Sequence, residues 1–238
     1  MLSGSGFTNG SELVLWYLSF IVAITAHEAA HAWAALKLGD PTAFEGGQVS
    51  LDPTPHIRRS PFGTVVVPLL SYLSAGWMIG WASTPYNRNW ADRNPKSAAM
   101  MALAGPLANL ALVLISALVI RIGMLTGHFH APAKISFTSV VAADSGGVPE
   151  GLAVLLSICF TLNLILLVFN LIPLPPLDGS GIIPLLLDGN TARKYNAFIQ
   201  RSAMSLIGLF IAWNFFGQLF RPIHTLALNL LYPGAHYH

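Results

Sequence analysis

The chain has 238 residues, of which 54% are hydrophobic and 9% are charged, whereas a soluble domain carries about 25% charged residues. This composition excludes an ordinary soluble domain and predicts a membrane protein. The formal net charge of +2 argues against a nucleic-acid partner, and the single cysteine, Cys159, excludes an internal disulfide and any multi-cysteine metal cluster.

Five long apolar runs are candidate membrane spans, since crossing a bilayer takes about 20 residues as a helix. In chain order they are residues 13–26 with a continuation to 36, 61–87, 97–120, 151–177 and 202–220. No Lys or Arg precedes the first run, so we do not expect a cleavable signal peptide there. The sequence therefore predicts an all-α polytopic membrane protein with about five transmembrane helices, within a range of about four to six.

The first run continues into the motif HEAAH, residues 27–31. Residues four apart share one face of a helix, so His27 and His31 can grip one zinc ion while Glu28 activates a water molecule. The structural alternative is that these three side chains only hydrogen-bond to neighbouring helices. An acid inside the membrane is unfavourable without a partner, and this favours a bound divalent cation.

The next part of the chain is harder to interpret. Residues 46–63, GGQVSLDPTPHIRRSPFG, mix valine, leucine and turn-forming residues, and we expect a small β element at the membrane surface. The second apolar run is interrupted by Gly63, Pro68, Gly76 and Gly80. It is either a kinked span or a re-entrant segment. If it crosses fully, the first and fourth runs are antiparallel; if it is re-entrant, they are parallel.

The fourth run continues past Asp178, so residues 151–187 form an apolar stretch with a single charge. Pro173, Pro175 and Pro176 lack the N–H that a regular helix needs, and unpaired backbone at membrane depth is tolerated only beside protein or a water-filled cavity. We therefore expect an unwound, proline-rich segment beside an aqueous pocket, with Asp178 projecting into it. A catalytic zinc needs a third protein ligand, for which Asp178 is a candidate; alternatively, it caps a helix.

Three motifs together resemble the site-2 protease family of intramembrane zinc metalloproteases, in a compact form without a PDZ or CBS domain. They are HEAAH (27–31), AGPLAN (104–109) and NLIPLPPLDG (170–179), in the family's order. The resemblance implies that His27, His31 and Asp178 bind one zinc ion per chain. It also implies that Glu28 is the general base and that Asn170 holds the substrate or stabilises the oxyanion.

The second motif implies close helix packing, in which small residues such as Gly105 let helices approach; Pro106 and Asn109 complete the match. The resemblance also places the active site nearer the cytosol. Lysine and arginine occur in similar numbers in several connections, so the positive-inside rule does not choose a side.

The sequence thus predicts one intramembrane metalloprotease domain over residues 1–238, with a catalytic core at about 13–187 and C-terminal helices at about 193–232. Its expected reaction is hydrolysis of peptide bonds within or near transmembrane segments of membrane-protein substrates. Its expected environment is a lipid bilayer, the prokaryotic plasma membrane, which the chain crosses several times. Two alternatives stay open: a membrane metal transporter and a catalytically inactive membrane chaperone. The sequence does not indicate the oligomeric state.

Four smaller expectations complete the prediction. An opened substrate helix could pair with an exposed strand near residues 46–52 or 78–84. Asn163 predicts a hydrogen bond between helices. His128 and His130, in the longest connection, are expected to be surface histidines without a metal. His236 and His238 are expected to lie in a terminal tail.

Overall fold

Helices make up most of the structure, a computed structural model that describes residues 9–144 and 146–234. Four of the described helices are long and apolar enough to cross a membrane, which lies within the predicted range of four to six. The described α-helices, in chain order, are α1 (Asn9–Lys37), α2 (Thr42–Glu45), α3 (Pro53–Arg59), α4 (Val67–Ala75), α5 (Arg88–Arg93), α6 (Pro95–Leu125), α7 (Val148–Asn170), α8 (Asp178–Ile182), α9 (Gly189–Ile199) and α10 (Ser202–Leu231). The membrane-spanning candidates are α1, α6, α7 and α10.

The sequences of the long helices explain where they begin and how far they run. α1 contains no proline and has 29 residues, which corresponds to about 44 Å of helix. α6 and α7 have proline in their first turn. Proline is tolerated there because a backbone N–H in the first turn would have no hydrogen-bond acceptor within the helix. All these helices are predominantly apolar, so a bilayer rather than water matches their outer surfaces.

Contacts between side chains fix the directions of the first three long helices. His27 contacts Asn109, whereas His31, further along α1, contacts the earlier residue Met101, so α6 runs antiparallel to α1. α7 also packs against α1, in a core cluster of Trp16, Phe20, Ala23, Ile24, Met78, Val154, Ile158 and Leu162. Ser19 contacts Cys159 of α7, and His27, further along α1, lies beside Asp178, which follows α7, so α1 and α7 are parallel.

Residues 62–87 form a hairpin that doubles back within the bundle, which we call the re-entrant hairpin. It begins with a π-helical turn, Phe62–Val66, which continues into α4 and ends at Gly76, whose φ of +75° suits glycine. The chain then returns in extended form, and Trp81 N donates to the Gly63 carbonyl oxygen at 3.0 Å. The hairpin agrees with the re-entrant alternative and with parallel first and fourth runs.

Two glycines allow the arms of the re-entrant hairpin to approach. A Cβ on Gly63 would collide with the Trp81 carbonyl oxygen, and a Cβ on Gly80 would collide with the Gly63 carbonyl oxygen. At the tip, the Trp77 ring stacks on Phe137 with centroids 6.2 Å apart, and Phe137 lies in the connection between α6 and α7. The hairpin therefore reaches towards the end of the bundle opposite to the C-terminal end of α1.

The prediction of a small β element at residues 46–63 is wrong. Among the described residues there is no sheet, only two isolated bridges, and residues 53–59 form α3. Asp52 stands at the N-cap, where its carboxylate accepts a hydrogen bond from Thr54 N at 2.8 Å, and Pro53 follows in the first turn. Both residues favour the start of a helix, and these local preferences prevail over the scattered valine and leucine.

The segment between α7 and α8 positions the first residue of α8, Asp178. Residues 171–177 form turns and bends. Gly208 on α10 packs against this segment so closely that a Cβ there would collide with the Pro175 carbonyl oxygen. α10 also meets α7, since the rings of Phe169 and Phe216 lie edge to face with centroids 5.3 Å apart.

Candidate metal centre

The side chains of His27, His31 and Asp178 meet at one point inside the bundle. The two Nε2 atoms lie 3.0 Å apart, and Asp178 Oδ2 lies 3.1 Å from the first and 3.3 Å from the second. Both rings are buried. They share one face of α1 because four residues make about one helical turn, and the 171–177 segment brings the carboxylate to that face.

The second ring nitrogen of each histidine is held by α6. Nδ1 of His27 lies 2.6 Å from Asn109 Oδ1, and Nδ1 of His31 lies 2.7 Å from the Met101 carbonyl oxygen. Both partners can only accept, so each Nδ1 carries a hydrogen and donates it. In the neutral rings the Nε2 atoms are then unprotonated, and their lone pairs face the Asp178 carboxylate.

The three facing atoms fit a zinc ion. Asp178 Oδ2 is buried but accepts no hydrogen bond within the described residues, which is consistent with two neighbouring Nε2 atoms that lack protons. Ligand atoms of one tetrahedral zinc, at about 2.0–2.1 Å from the metal, lie about 3.3 Å from one another, close to the three separations in this structure. Two imidazoles and a carboxylate also leave a fourth position open. Within the described residues, this is the one group of three or more His, Cys, Asp or Glu side chains that could hold a metal.

Gly105 allows α6 to approach the two rings. A Cβ at this position would collide with His31 Nε2 and His27 Cε1. Asn109 follows one turn later on the same face of α6, so one surface provides both the clearance and the hydrogen bond. The AGPLAN motif, for which we expected close packing, therefore contacts both histidines directly.

Glu28 lies beside the histidines and contacts the re-entrant hairpin. It is 5% exposed, and its Oε2 lies 2.7 Å from Thr84 Oγ1. The same hydroxyl lies 2.9 Å from the Glu28 carbonyl oxygen, so its single hydrogen has two acceptors on one residue. The returning arm of the hairpin is thereby attached to α1 at Glu28 and restrains the carboxylate.

One cavity of about 1070 Å³ is lined by all five predicted site residues, His27, Glu28, His31, Asn170 and Asp178. Hairpin residues 79–84 and part of α10 form other sections of its wall. Asn170 lies at the C-terminal end of α7, where its Nδ2 donates to the Leu166 carbonyl oxygen at 3.0 Å. That bond uses one of its two amide hydrogens.

The sequence assigned no role at the site to Asn109 or Thr84. Asn109 Nδ2 donates to Asn163 Oδ1 at 2.9 Å, and Asn163 Nδ2 donates to the Cys159 carbonyl oxygen at 2.8 Å. A chain of amides thus runs from α7 to His27, and it includes the interhelical hydrogen bond predicted for Asn163. An asparagine inside an apolar helix needs a polar partner, so Asn109 could have been found, whereas no pattern around Thr84 indicates its contact with Glu28.

The other histidines that the sequence analysis considered lie apart from this centre. His130 Nε2 lies 2.9 Å from Asp144 Oδ1, and both side chains are exposed. His128 Nδ1 lies 2.9 Å from Thr126 Oγ1. Neither belongs to a possible metal group among the described residues. His236 and His238 lie outside the described residues.

Comparison with known proteins gives consistent matches. The sequence model of peptidase family M50 matches residues 15–214. The Bacillus subtilis (strain 168) protein named "Putative zinc metalloprotease YwhC" is 37% identical over 70% of this chain. Proteins named "Putative zinc metalloprotease Rip2" are 26% identical over 90% of the chain in Mycobacterium tuberculosis (strain ATCC 25618 / H37Rv) and 29% identical over 76% in Mycolicibacterium smegmatis. The matches cover 66%, 73% and 60% of these three relatives, and no solved structure matches the chain.

Proposed function

From the premise that the chain belongs to peptidase family M50, we propose that it is an intramembrane zinc metalloprotease that cuts membrane-protein substrates. The coarser statement follows from family membership and from the four long apolar helices: the chain is a site-2-protease-like metalloprotease and a multi-pass membrane protein. The observation that carries the finer proposal is the convergence of His27, His31 and Asp178 in a cavity that also contains Glu28.

In the proposed mechanism, His27, His31 and Asp178 hold one zinc ion. When bound, zinc supplies Lewis-acid activation of water and of the scissile carbonyl. Glu28 takes a proton from the attacking water and delivers it to the leaving amine. Both transfers require the Glu28 carboxylate to stay near the reacting atoms, and the hydrogen bond from Thr84 restrains it there.

Asn170 is the proposed donor to the tetrahedral oxyanion. Its side chain lines the same cavity as the histidines, and one amide hydrogen is occupied by the Leu166 carbonyl oxygen. The second hydrogen can donate to an oxygen in the cavity. A donor positioned before the reaction stabilises developing charge without reorganising during the step.

The proposed binding surface for the substrate backbone is the returning arm of the re-entrant hairpin, residues 78–84. A transmembrane substrate must first unwind, because its carbonyls are occupied in helical hydrogen bonds. An opened segment can then pair with an extended backbone by edge addition. Residues 79–84 line the cavity, whereas residues 46–52 form a turn, bends and irregular chain that lead into α3, so the hairpin arm is favoured.

We infer that the candidate metal centre faces the cytoplasmic half of the membrane. The re-entrant hairpin does not cross the membrane. The connections before and after it therefore lie at the same end of the bundle, whereas a crossing segment would have put them on opposite sides. That end holds nine of the twelve Lys and Arg residues: Lys37, Arg58, Arg59, Arg88, Arg93, Lys96, Arg193, Lys194 and Arg201. Connections rich in Lys and Arg stay in the cytoplasm, and the bacterial relatives fit a prokaryotic plasma membrane.

The decisive experiment compares the wild-type protein with Glu28→Gln in phosphatidylcholine nanodiscs. We expect one zinc per chain in both, and a loss of cleavage of a reporter transmembrane helix by about 10²- to 10⁴-fold in the variant, the usual contribution of a general base. Glu12→Gln, a matched change in the first turn of the same helix, should cleave normally. His31→Ala should lose both zinc and cleavage.

Four results would contradict the proposal. Normal cleavage by Glu28→Gln would remove the proposed general base. Full zinc content in both His31→Ala and Asp178→Ala would place the metal elsewhere. Zinc flux across a sealed vesicle without cleavage by the wild type would favour the transporter, and binding of the reporter helix with neither flux nor cleavage would favour the chaperone.

A further inference from the structure

α10 carries a row of polar groups on a helix that is predominantly apolar. Asn214, Gln218 and Arg221 stand at positions i, i+4 and i+7, a spacing that puts them on one face. All three side chains are exposed. Gly217 lies on the same side, and a Cβ there would meet nothing within 4 Å. We call these four residues the polar face of α10.

The polar face lacks a charged partner within the described residues. Asn214 Nδ2 donates to the Phe210 carbonyl oxygen of its own helix at 2.7 Å. The ion pairs found between residues 9 and 234, apart from position 145, all involve histidine and none involves Arg221. Glu28 and Asp178, the two acids within the apolar stretches, belong to the candidate metal centre.

Contacts on the opposite side of α10 place Arg221 at a level well inside the two ends of the bundle, with its side chain facing outward. Phe216 lies edge to face with Phe169 near the C-terminal end of α7, and the Tyr232 hydroxyl donates to the Val140 carbonyl oxygen in the connection before α7, so Arg221 stands between these two levels. Arg221 stands about 15 Å from the end of α10 at Leu231, at 1.5 Å per residue. The midplane of a bilayer lies about 15 Å from the headgroups, farther than an arginine side chain extends.

A charged and amide-bearing face at this depth is unfavourable against lipid and needs a protein partner. The charge argues against a second copy of this chain. In a two-fold dimer about an axis normal to the membrane, the two α10 helices would be parallel, and Arg221 of each copy would face the other at the same depth. Like charges repel strongly where the dielectric constant is low. A helix with an aspartate or glutamate at that depth would instead neutralise Arg221.

We propose that the polar face of α10 docks a transmembrane helix of a partner protein that carries a carboxylate near the middle of the membrane. Amide or hydroxyl side chains of that helix would pair with Asn214 and Gln218, and Gly217 lets the two backbones approach. Phe210 and Trp213, on an adjacent part of α10, line the catalytic cavity, so the docked helix lies beside one wall of that cavity. This docking does not depend on the proposed catalytic activity.

The test uses the full chain in phosphatidylcholine vesicles and a synthetic polyleucine transmembrane helix with one central aspartate. Energy transfer between fluorophores on the two molecules measures binding. We expect Arg221→Leu to weaken binding about tenfold, a typical effect for a polar contact between membrane helices. Replacing the probe's aspartate with asparagine should weaken binding similarly. Arg221→Glu should restore binding to a probe with central lysine.

Two controls separate lost docking from misfolding. Arg221→Leu should retain the zinc content and the thermal midpoint of the wild type, because Arg221 is exposed and forms no ion pair with another described residue. Arg193→Leu, on α9 rather than α10, should bind the aspartate probe normally; the Arg193 guanidinium donates to the exposed Asn190 Oδ1 at 2.7 Å.

The proposal would be overturned by equal binding of the aspartate probe to wild type and Arg221→Leu. It would also be overturned if binding depended on Arg221 but not on the probe's carboxylate, since Arg221 would then bind lipid phosphates. Energy transfer between two labelled copies of the chain, abolished by Arg221→Leu, would assign the polar face to self-association.

Discussion

Oδ1 of Asn109 on α6 lies 2.6 Å from Nδ1 of His27 on α1. This contact selects the ring tautomer that presents an unprotonated Nε2 to Asp178. Asn163 on α7 holds the amide of Asn109 in turn. The orientation of one proposed metal ligand therefore depends on side chains from two other helices.

Asn109→Leu should weaken zinc binding by about 10- to 100-fold, the usual effect of removing a partner behind a metal-bound histidine. The zinc dissociation constant can be measured by competition with a chromogenic chelator. Asn109→Asp, which keeps an acceptor, should recover part of the loss. Asn89→Leu, at an exposed position of α5, is the matched control; an unchanged dissociation constant in Asn109→Leu would show that the contact does not support the metal.

Thr84→Val should lower kcat while leaving KM and zinc content close to wild type. The change removes the hydroxyl that restrains Glu28, and a hydrogen bond to a charged group contributes about 1.5–3 kcal/mol, or roughly tenfold to a hundredfold in rate. Thr84→Ser keeps the hydroxyl and should restore kcat. If serine and valine were equally impaired, Thr84 would act through packing alone.

Gly105→Ala should abolish zinc binding, because the added Cβ would collide with both histidine rings. The readout is metal content after purification, together with the thermal midpoint. Gly189→Ala is a suitable control, since nothing lies within 4 Å of the corresponding Cβ at that helical position. Wild-type zinc content in Gly105→Ala would mean that α6 can move away from α1 without disturbing the centre.

Removal of zinc should lower the thermal midpoint of the wild type. A ligand that binds only the folded state contributes about 2.7 kcal/mol at a free concentration of 100 times Kd, which corresponds to several degrees for a chain of this size. His31→Ala should lose this response to added zinc. A wild-type midpoint that ignored both chelator and zinc would argue against a metal at this position.

The lengths of the apolar runs were sufficient to predict α1, α6, α7 and the membrane-spanning part of α10. The spacing of His27 and His31 is local, so a helix alone places both on one face. The approach of Asp178 is a tertiary contact that spacing cannot provide; the structure brings the carboxylate to the rings through the 171–177 segment. The sequence supplied the chemical reason to look for that approach, namely an acid among apolar residues.

The re-entrant hairpin could not be decided from sequence, because glycine and proline interrupt a kinked span and a re-entrant segment alike. The bond from Trp81 N to the Gly63 carbonyl oxygen, between residues far apart in the run, resolves the choice. Thr84 escaped prediction for the same reason, since its position beside Glu28 follows from how the hairpin folds. The wrong prediction of a β element at residues 46–63 has a different cause. The sequence contains helix-start signals there, Asp52 and Pro53, and these predict α3.

The separation of the two histidines from Asp178 along the chain has a consequence for biogenesis. A nascent chain that has inserted α1 alone possesses two of the proposed metal ligands and the proposed general base, but not the Asp178 carboxylate that would complete the proposed site. Under the proposed mechanism, the metal site is complete only after α7 has docked and residues 171–177 have turned inward. A partly synthesised chain is then expected to lack the proposed proteolytic activity.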